Sequence, residues 1–128
     1  MIYLDTSVAL AHLLAEDRTP PAWLWSEPLV ASRLLQYELW NRVHARGLSR
    51  SHGDEVRQLL GRIAFLELTP TVLARALEPF PVPVRTLDAL HLASADFLWQ
   101  QGQSLRLASY DARMVDVARR LGIEAFEI

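Results

Sequence analysis

The chain alternates short apolar runs with longer segments in which apolar residues recur every three or four positions. The short runs are typical of buried strands, and the longer periodicity is typical of helices that pack one face on a core. The predicted strands cover residues 2–4, 29–31, 65–68, 105–108 and 124–127. The predicted helices cover residues 8–15, 20–25, 33–46, 51–62, 86–100 and 112–121, and another opens at Thr69-Pro70.

Prolines, glycines and short polar residues mark the ends of these elements. Three prolines between residues 79 and 83 cannot continue a helix, because proline lacks a backbone N–H, and they predict a short loop. Gly47 and Gly102 stand at predicted helix ends, and Ser32 is placed to cap the helix of residues 33–46. A chain of 128 residues fits one hydrophobic core, so we expect a single domain over residues 1–128.

The alternation of strands and helices predicts an α/β fold. Parallel strands need crossover connections, which are usually helices, and these helices cover both faces of the sheet. We therefore expect a three-layer α/β/α sandwich around a mainly parallel sheet of four to five strands.

Composition removes several kinds of chemistry. The chain has no cysteine, which excludes thiolate zinc sites and cysteine nucleophiles, and all 13 basic residues are arginine, which excludes any lysine-dependent mechanism. A net charge of -2 gives no long-range attraction for nucleic acid, so a nucleic-acid site has to be local. No segment approaches the ~18 apolar residues of a membrane span, and the N-terminus has no basic signal region, so we expect a cytoplasmic protein without a membrane partner.

Four acidic residues stand where functional groups gather in such a fold. Asp5 follows the first predicted strand and Asp111 follows the fourth, and the carboxyl ends of parallel strands meet at one edge of a sheet. Asp88 lies in the first turn of the helix after the proline loop, and Glu38 lies within an apolar helix. Each also has a structural interpretation, since helix N-termini favour aspartate and a mid-helix glutamate commonly faces solvent.

If the four carboxylates converge, they need a counter-charge. Two carboxylates about 5 Å apart repel by roughly 3 kcal/mol at an effective dielectric of about 20. An all-oxygen site suits Mg2+ or Mn2+, and such an ion activates water and stabilises an in-line displacement at phosphorus. On this hypothesis Asp5→Asn abolishes cleavage and raises the melting temperature of the metal-free protein, because it relieves repulsion.

Three segments resemble the signature blocks of PIN domains of the VapC toxin type. They are YLDTS at residues 3–7, LDALHLASA at residues 87–95, and LASYD at residues 107–111, the last followed by Gly122-Ile123. A glutamate stands between the first two blocks, and the chain length and element order agree with the family as well. The resemblance covers essentially the whole chain.

The resemblance implies a three-layer α/β/α fold and Mg2+- or Mn2+-dependent cleavage of RNA. It also implies a homodimer that a small antitoxin protein inhibits. The family's catalytic and metal-binding acids map onto Asp5, Glu38, Asp88 and Asp111.

Two hydroxyls and one further acid complete the expected site. Thr6 and Ser109 are expected to position the metal or water by hydrogen bonding. Asp116 is an alternative fourth acid to Asp111, since it lies just over one helical turn later, although a solvated surface role is the simpler interpretation.

Other residues are expected to be mainly structural. His91 lies three residues after Asp88 on the same helix, and we favour packing or surface exposure for it. The apolar residues of the N-terminal helices are a candidate partner groove: Leu13, Leu14, Trp23 and Trp25. Five arginines flank the expected acidic edge and are candidates for RNA phosphate contacts: Arg33, Arg42, Arg46, Arg85 and Arg113.

Two other functions compete with ribonuclease activity. A catalytically silent PIN-like module would bind proteins only, although all four acids are present. A Mg2+-dependent phosphotransfer domain also uses an aspartate after its first strand, but such domains add a neighbouring acid and a lysine, which this chain lacks. The pattern does not identify the RNA, the bond that is cleaved or the antitoxin, and it does not separate a toxin from a housekeeping nuclease.

Overall fold

Parallel strands form the central sheet of the computed structural model, which describes residues 1–128 except for the side chains at positions 126 and 127. Within this part the sheet has five strands in the order β3-β2-β1-β4-β5, and every neighbouring pair is parallel. The strands are β1 (Ile2–Leu4), β2 (Leu29–Ser32), β3 (Ile63–Leu66), β4 (Arg106–Ser109) and β5 (Glu124–Glu127).

Helices connect these strands. They are α1 (Thr6–Leu14), α2 (Leu34–Ala45), α3 (Ser49–Leu60), α4 (Pro70–Ala76), α5 (Thr86–Gln100) and α6 (Ala112–Arg120), and a 3-10 helix covers Ala22–Ser26. Thr69 begins α4 as a cap, because its hydroxyl accepts the Val72 N–H at 3.3 Å. The prolines of residues 79–83 lie in the loop between α4 and α5, as the sequence predicts.

The sheet separates two apolar cores. Along β1, Ile2 and Leu4 pack in a core with side chains of α1, α2 and α3, whereas Tyr3 packs on the opposite face with side chains of α5 and α6. Successive strand residues point to opposite faces, so a strand buried on both faces is apolar throughout. The predicted α/β class with a parallel sheet between helical layers is confirmed.

Several predicted boundaries were wrong by one or two residues. β3 covers residues 63–66 instead of 65–68, because Ile63 leaves the helix, pairs with Leu29 and is buried in the sheet. α1 begins at Thr6, two residues early, and α3 covers residues 49–60 instead of 51–62. Ser32 belongs to β2, yet its hydroxyl still accepts the Leu34 N–H at 3.1 Å. Apolar periodicity therefore located the elements, while strand pairing set their ends.

Exposed apolar surface lies around α4. A groove of about 640 Å³ runs between α4, the proline loop and α5, and Leu77 beside it is 89% exposed. Among the residues expected to line a groove on the N-terminal helices, Leu13 is buried and the Trp25 ring packs against His12 with centroids 4.4 Å apart, whereas Trp23 is 47% exposed. No helix in the described part of the chain is long and apolar enough to cross a membrane.

Candidate active site

The centre of the sheet places Asp5 beside the end of β4. β1 and β4 are neighbours, and the Asp5 N–H continues their ladder by donating to the Ala108 carbonyl at 3.0 Å. The Ser109 hydroxyl, fully buried at the last position of β4, donates to Asp5 Oδ2 at 2.7 Å. The expectation that the first acid meets the residues after β4 at the carboxyl edge of the sheet agrees with this geometry.

A second hydroxyl holds the same carboxylate oxygen. Ser7 donates to Asp5 Oδ2 at 2.6 Å and accepts the Tyr110 N–H at 3.1 Å. Ser109 is bound in the same way, since it accepts the Asp111 N–H at 2.9 Å. Both hydroxyls are therefore oriented by backbone amides and directed at Oδ2, and among the described residues none donates to Oδ1.

This arrangement separates two interpretations of Asp5. Asp5 occupies the N-cap position of α1, but its side chain makes no capping hydrogen bond to the helix. Asp5 is 6% exposed, and its carboxylate is held by the hydroxyls of Ser7 and Ser109 instead. The structure thus favours a site role over helix capping for this residue.

Glu38 is bound by side chains from α1 and α5. It projects from the middle of α2 with its side chain 24% exposed, which agrees with the partial burial that its apolar neighbours indicate. Its Oε1 accepts a hydrogen bond from the Thr6 hydroxyl at 2.8 Å and lies 2.5 Å from His91 Nε2. The His91 side chain is 2% exposed, so this contact with the Glu38 carboxylate lies at the base of the site.

The charges of three acids act together on His91. Burial alone would lower the pKa of His91, but its hydrogen bond to Glu38 and the charges of Glu38, Asp5 and Asp88 raise that pKa overall. Burial likewise opposes ionisation of Glu38, and the hydrogen bonds of His91 and Thr6 outweigh it, so the pKa of Glu38 is lowered. Asp5, Glu38 and Asp88 are therefore all close enough to the buried His91 ring to raise its pKa.

Asp88 and Asp111 line a cleft at the same edge. Asp88 lies in the first turn of α5 with its side chain 21% exposed, and Arg85 Nε donates to its Oδ2 at 3.2 Å. Asp111 caps α6, since its Oδ1 accepts the N–H groups of Arg113 at 3.0 Å and Met114 at 3.4 Å. The cleft has a volume of about 270 Å³, and its walls are Arg85, Asp88, Asp111 and Arg113.

The alternative fourth acid lies outside this cleft. Asp116 accepts a hydrogen bond from Arg120 Nε at 3.1 Å in an i,i+4 pair, with side chains 52% and 55% exposed respectively. Asp111 is the acid that shares cleft walls with Asp88. The geometry therefore favours Asp111 over Asp116, while Asp111 also acts as the helix cap that the sequence allowed.

The donor set fits a hard divalent cation, since it consists of carboxylate and hydroxyl oxygens. Asp5 Oδ1 is left without a hydrogen bond among the described residues, as the partners of this carboxylate all bind Oδ2. In the part of the chain that the structure describes, however, no three acidic or histidine side chains surround a common point at metal-binding distance. Glu38 is instead paired with His91, and Asp88 with Arg85.

Sequence reasoning missed His91 and undervalued Ser7. His91 was expected in a packing or surface role, and it is buried but also in direct contact with Glu38. The spacing of three residues from Asp88 was the available signal, since it places both residues near one face of α5. Ser7 follows Asp5 by two residues, and only the pairing of β1 with β4 shows that its hydroxyl duplicates the hydrogen bond of Ser109.

One arginine of the predicted phosphate-binding set has another role. Arg33 makes three hydrogen bonds to the Glu67 carboxylate, at 2.8 to 3.0 Å, and its guanidinium lies 4.4 Å from the centroid of the Phe65 ring. These contacts fix Arg33 beside β3.

Comparison with known proteins gives one family and several close relatives. Residues 2–120 match the PIN domain family. The chain is 32% identical to ribonuclease VapC47 of Mycobacterium tuberculosis over 129 residues, covering 95% of this chain and 93% of that protein. It is 33% identical to ribonuclease VapC46 of the same species over 126 residues, with the same coverage. Ribonuclease VapC35, also from that species, is 30% identical over 136 residues, covering 96% of this chain and 93% of its own length.

Proposed function

Since the chain belongs to the PIN-domain family, we propose that it is a metal-dependent endoribonuclease that cleaves RNA phosphodiester bonds as the toxin of a toxin–antitoxin pair. The relatives that align over nearly its full length are named ribonucleases of the VapC type. The observation that carries the proposal is the placement of the acids at the carboxyl edge of the sheet: Ser109 of β4 holds Asp5, Thr6 and His91 hold Glu38, and Asp88 shares a cleft with Asp111. Such a concentration of acid on one sheet edge suits cation binding better than helix capping.

In this proposal Asp5, Glu38 and Asp88 hold Mg2+ or Mn2+, and Asp111 helps to hold that ion or a second one. When bound, the cation lowers the pKa of a water molecule and offsets the charge that develops on the scissile phosphate. Asp5 offers Oδ1, because its other oxygen is already occupied by two hydroxyls. Glu38 and Asp88 offer the oxygens that do not face His91 and Arg85.

The surrounding polar groups position these acids. Ser7 and Ser109 both donate to Asp5 Oδ2, so they hold the carboxylate and leave Oδ1 for the cation. Thr6 and His91 fix Glu38 in the same way from α1 and α5. Partners of this kind commonly change metal affinity or activity by about 10- to 100-fold when removed. In this proposal Thr6 and Ser109 act as positioning residues through Glu38 and Asp5, and a direct role of either hydroxyl on the metal or water stays a prediction.

The partners and setting follow from the same family membership. We propose that the chain forms a single domain and a homodimer, acts on RNA in the cytoplasm, and is inhibited by a cognate antitoxin protein. Each of these is supported by the full-length similarity to VapC ribonucleases.

One observation favours a second candidate, a silent protein-binding module. In the described residues the acids already have protein partners: hydroxyls for Asp5, His91 for Glu38, Arg85 for Asp88 and the α6 amides for Asp111. Acids paired in this way would be stable without a cation, and a site that binds no cation would not cleave RNA by the proposed mechanism.

A cleavage assay on a structured RNA separates the two candidates. The wild-type protein is incubated with labelled RNA and Mn2+, with Mg2+ or with EDTA, beside Glu38→Gln and the control Asp54→Asn, whose carboxylate lies on α3 in an exposed pair with Arg57. The ribonuclease proposal expects metal-dependent cleavage by wild type and control, and none by Glu38→Gln. Equal cleavage by Glu38→Gln contradicts the assignment, and Mn2+ binding without cleavage of any RNA favours the silent module.

A further inference from the structure

The cleft between α5 and α6 combines two acids with two arginines. Its walls are Asp88 and Asp111, which the proposed function assigns to the cation, and Arg85 and Arg113, two of the five arginines that the sequence offers as candidate phosphate contacts. The arginines come from different elements, Arg85 from the residue before α5 and Arg113 from the first turn of α6. They therefore approach the acids from two separate parts of the chain.

We propose that Arg85 and Arg113 form a phosphate clamp that binds the RNA backbone next to the cation site. This inference rests on the proposed ribonuclease function and names the residues that would let an acidic site accept an anionic substrate. The two positive and two negative charges of the cleft cancel, so the arginines offset the charge of the two acids that a phosphate would otherwise meet there. Two guanidinium groups are well suited to phosphate oxygens, because each presents several N–H donors in a plane.

Neither arginine is committed to a strong internal contact. The Arg85 side chain is 80% exposed, and its one hydrogen bond among the described residues is to Asp88, which the cation would engage. An exposed ion pair of this kind contributes little to stability, so replacing it with a contact between Arg85 and a phosphate costs little free energy. The Arg113 side chain has no hydrogen bond or ion pair within the described residues, although its backbone N–H binds Asp111.

The backbone that carries Arg85 is held in place. Val82 and Val84 of the preceding loop pack against the second core, on the α5 and α6 side of the sheet. Proline restricts the backbone φ angle, so prolines at 81 and 83 limit the motion of this loop further. A long side chain on a fixed backbone lets the guanidinium move between Asp88 and a phosphate without moving the site.

A second arginine-containing cleft, beside Ser7, is less suited to RNA. It is lined by Arg18 and Arg42 beside Ser7, but Glu16 and Asp17 also form its walls. Arg18 is already bound there, donating to the Tyr110 carbonyl at 3.2 Å and lying over the Tyr110 ring. Those acids are outside the proposed cation site and would repel a phosphate.

The test measures RNA binding without cleavage. In the wild-type background, Arg85→Gln, Arg113→Gln and the double variant are titrated with a fluorescent 20-nucleotide RNA over a range of salt, with Ca2+ in place of Mn2+, because Ca2+ takes oxygen ligands at longer distances and in a more flexible geometry. A gel of the recovered RNA verifies that it stays intact during the titration. Arg50→Gln is the matched control. Arg50 is exposed on α3 outside the cleft, and its substitution removes the same charge from the protein. Arg113→Lys keeps the charge and tests whether it is sufficient for the salt dependence.

If the two arginines bind phosphates, then replacing either one lowers the salt dependence of RNA binding. Each glutamine substitution should reduce the slope of log Kd against log salt by about 0.7, the value for one phosphate contact with a single strand. Arg50→Gln should leave the slope unchanged, and Arg113→Lys should retain it. Slopes for the cleft variants equal to that of Arg50→Gln overturn the inference, as does absence of RNA binding. Failure of wild-type protein to cleave RNA is a separate result that bears on the proposed function.

Discussion

Replacing Ser109 with alanine tests whether Asp5 is held as a charged group by two hydroxyls. Ser109 is fully buried, donates to Asp5 Oδ2 at 2.7 Å and accepts the Asp111 N–H at 2.9 Å. Alanine has almost the same volume, so the substitution removes hydrogen bonds without opening a large cavity. A hydrogen bond to a charged group contributes about 1.5–3 kcal/mol, against about 0.5–1.5 kcal/mol for a neutral one.

Ser94→Ala provides the matched control for this value. Ser94 is also fully buried, but its hydroxyl donates to the neutral Leu90 carbonyl at 2.9 Å. We expect Ser109→Ala to lower the free energy of unfolding by about 2–4 kcal/mol, including the orphaned Asp111 N–H, and Ser94→Ala to lower it by about 1 kcal/mol. Urea unfolding in EDTA measures both, since it follows the metal-free protein.

A double-mutant cycle with Asp5→Asn isolates the interaction of the pair. Asp5→Asn alone has two opposing effects on the free energy of unfolding. It relieves repulsion among the acids, and it weakens the hydrogen bonds from the two hydroxyls. The predicted rise in stability of the metal-free protein requires the first effect to be the larger. In that background Ser109→Ala should cost only the neutral value, which gives a coupling energy of about 1–2 kcal/mol. A coupling near zero, or equal costs for Ser109→Ala and Ser94→Ala, would refute the view that Ser109 stabilises a buried carboxylate.

Three further substitutions follow from the same geometry. His91→Ala should lower the free energy of unfolding by about 3 kcal/mol in urea, because it removes the imidazole that Glu38 contacts, and His91→Gln should lower it less because the amide still donates. Asp111→Asn should slow RNA cleavage more than about tenfold, whereas Asp116→Asn should stay within about twofold; the reverse order would exchange their roles. Burial and Arg62 lower the pKa of His12 below 6.5, so its contribution to stability is present above that pH and lost as pH falls. His12→Gln should therefore flatten the stability profile between about pH 7 and about pH 5, and an unchanged profile would contradict this.

The sequence predicted the layers of the fold well because burial alone determines them. Strands covered on both faces are apolar at every position, so the runs around Tyr3 and Leu107 were visible without any knowledge of their partners. The end of β3 was not visible, because Ile63 is apolar in either element and only its pairing with Leu29 places it in the sheet. Local pattern carries element type, whereas boundaries depend on contacts between distant segments.

The candidate site was predicted in part for the same reason. Asp5 and the end of β4 were brought together by topology, which the alternation of strands and helices indicates. The contact of His91 with Glu38 joins α5 to α2, and the orientation of two helices across a sheet edge is not encoded in either helix alone. The hydroxyl pair on Asp5 likewise needed the register of β1 against β4.

Metal-dependent RNA cleavage, measured together with Mn2+ binding on the same protein, tests the central claim most directly. Wild-type protein and Asp5→Asn are titrated with Mn2+, followed by its paramagnetic resonance signal, and assayed on one structured RNA. We expect wild type to bind Mn2+, to melt at a higher temperature with it than in EDTA, and to cleave RNA only when it is bound. Asp5→Asn should lose both binding and cleavage. Cleavage by Asp5→Asn at the wild-type rate, or undiminished wild-type cleavage in EDTA, would contradict the account.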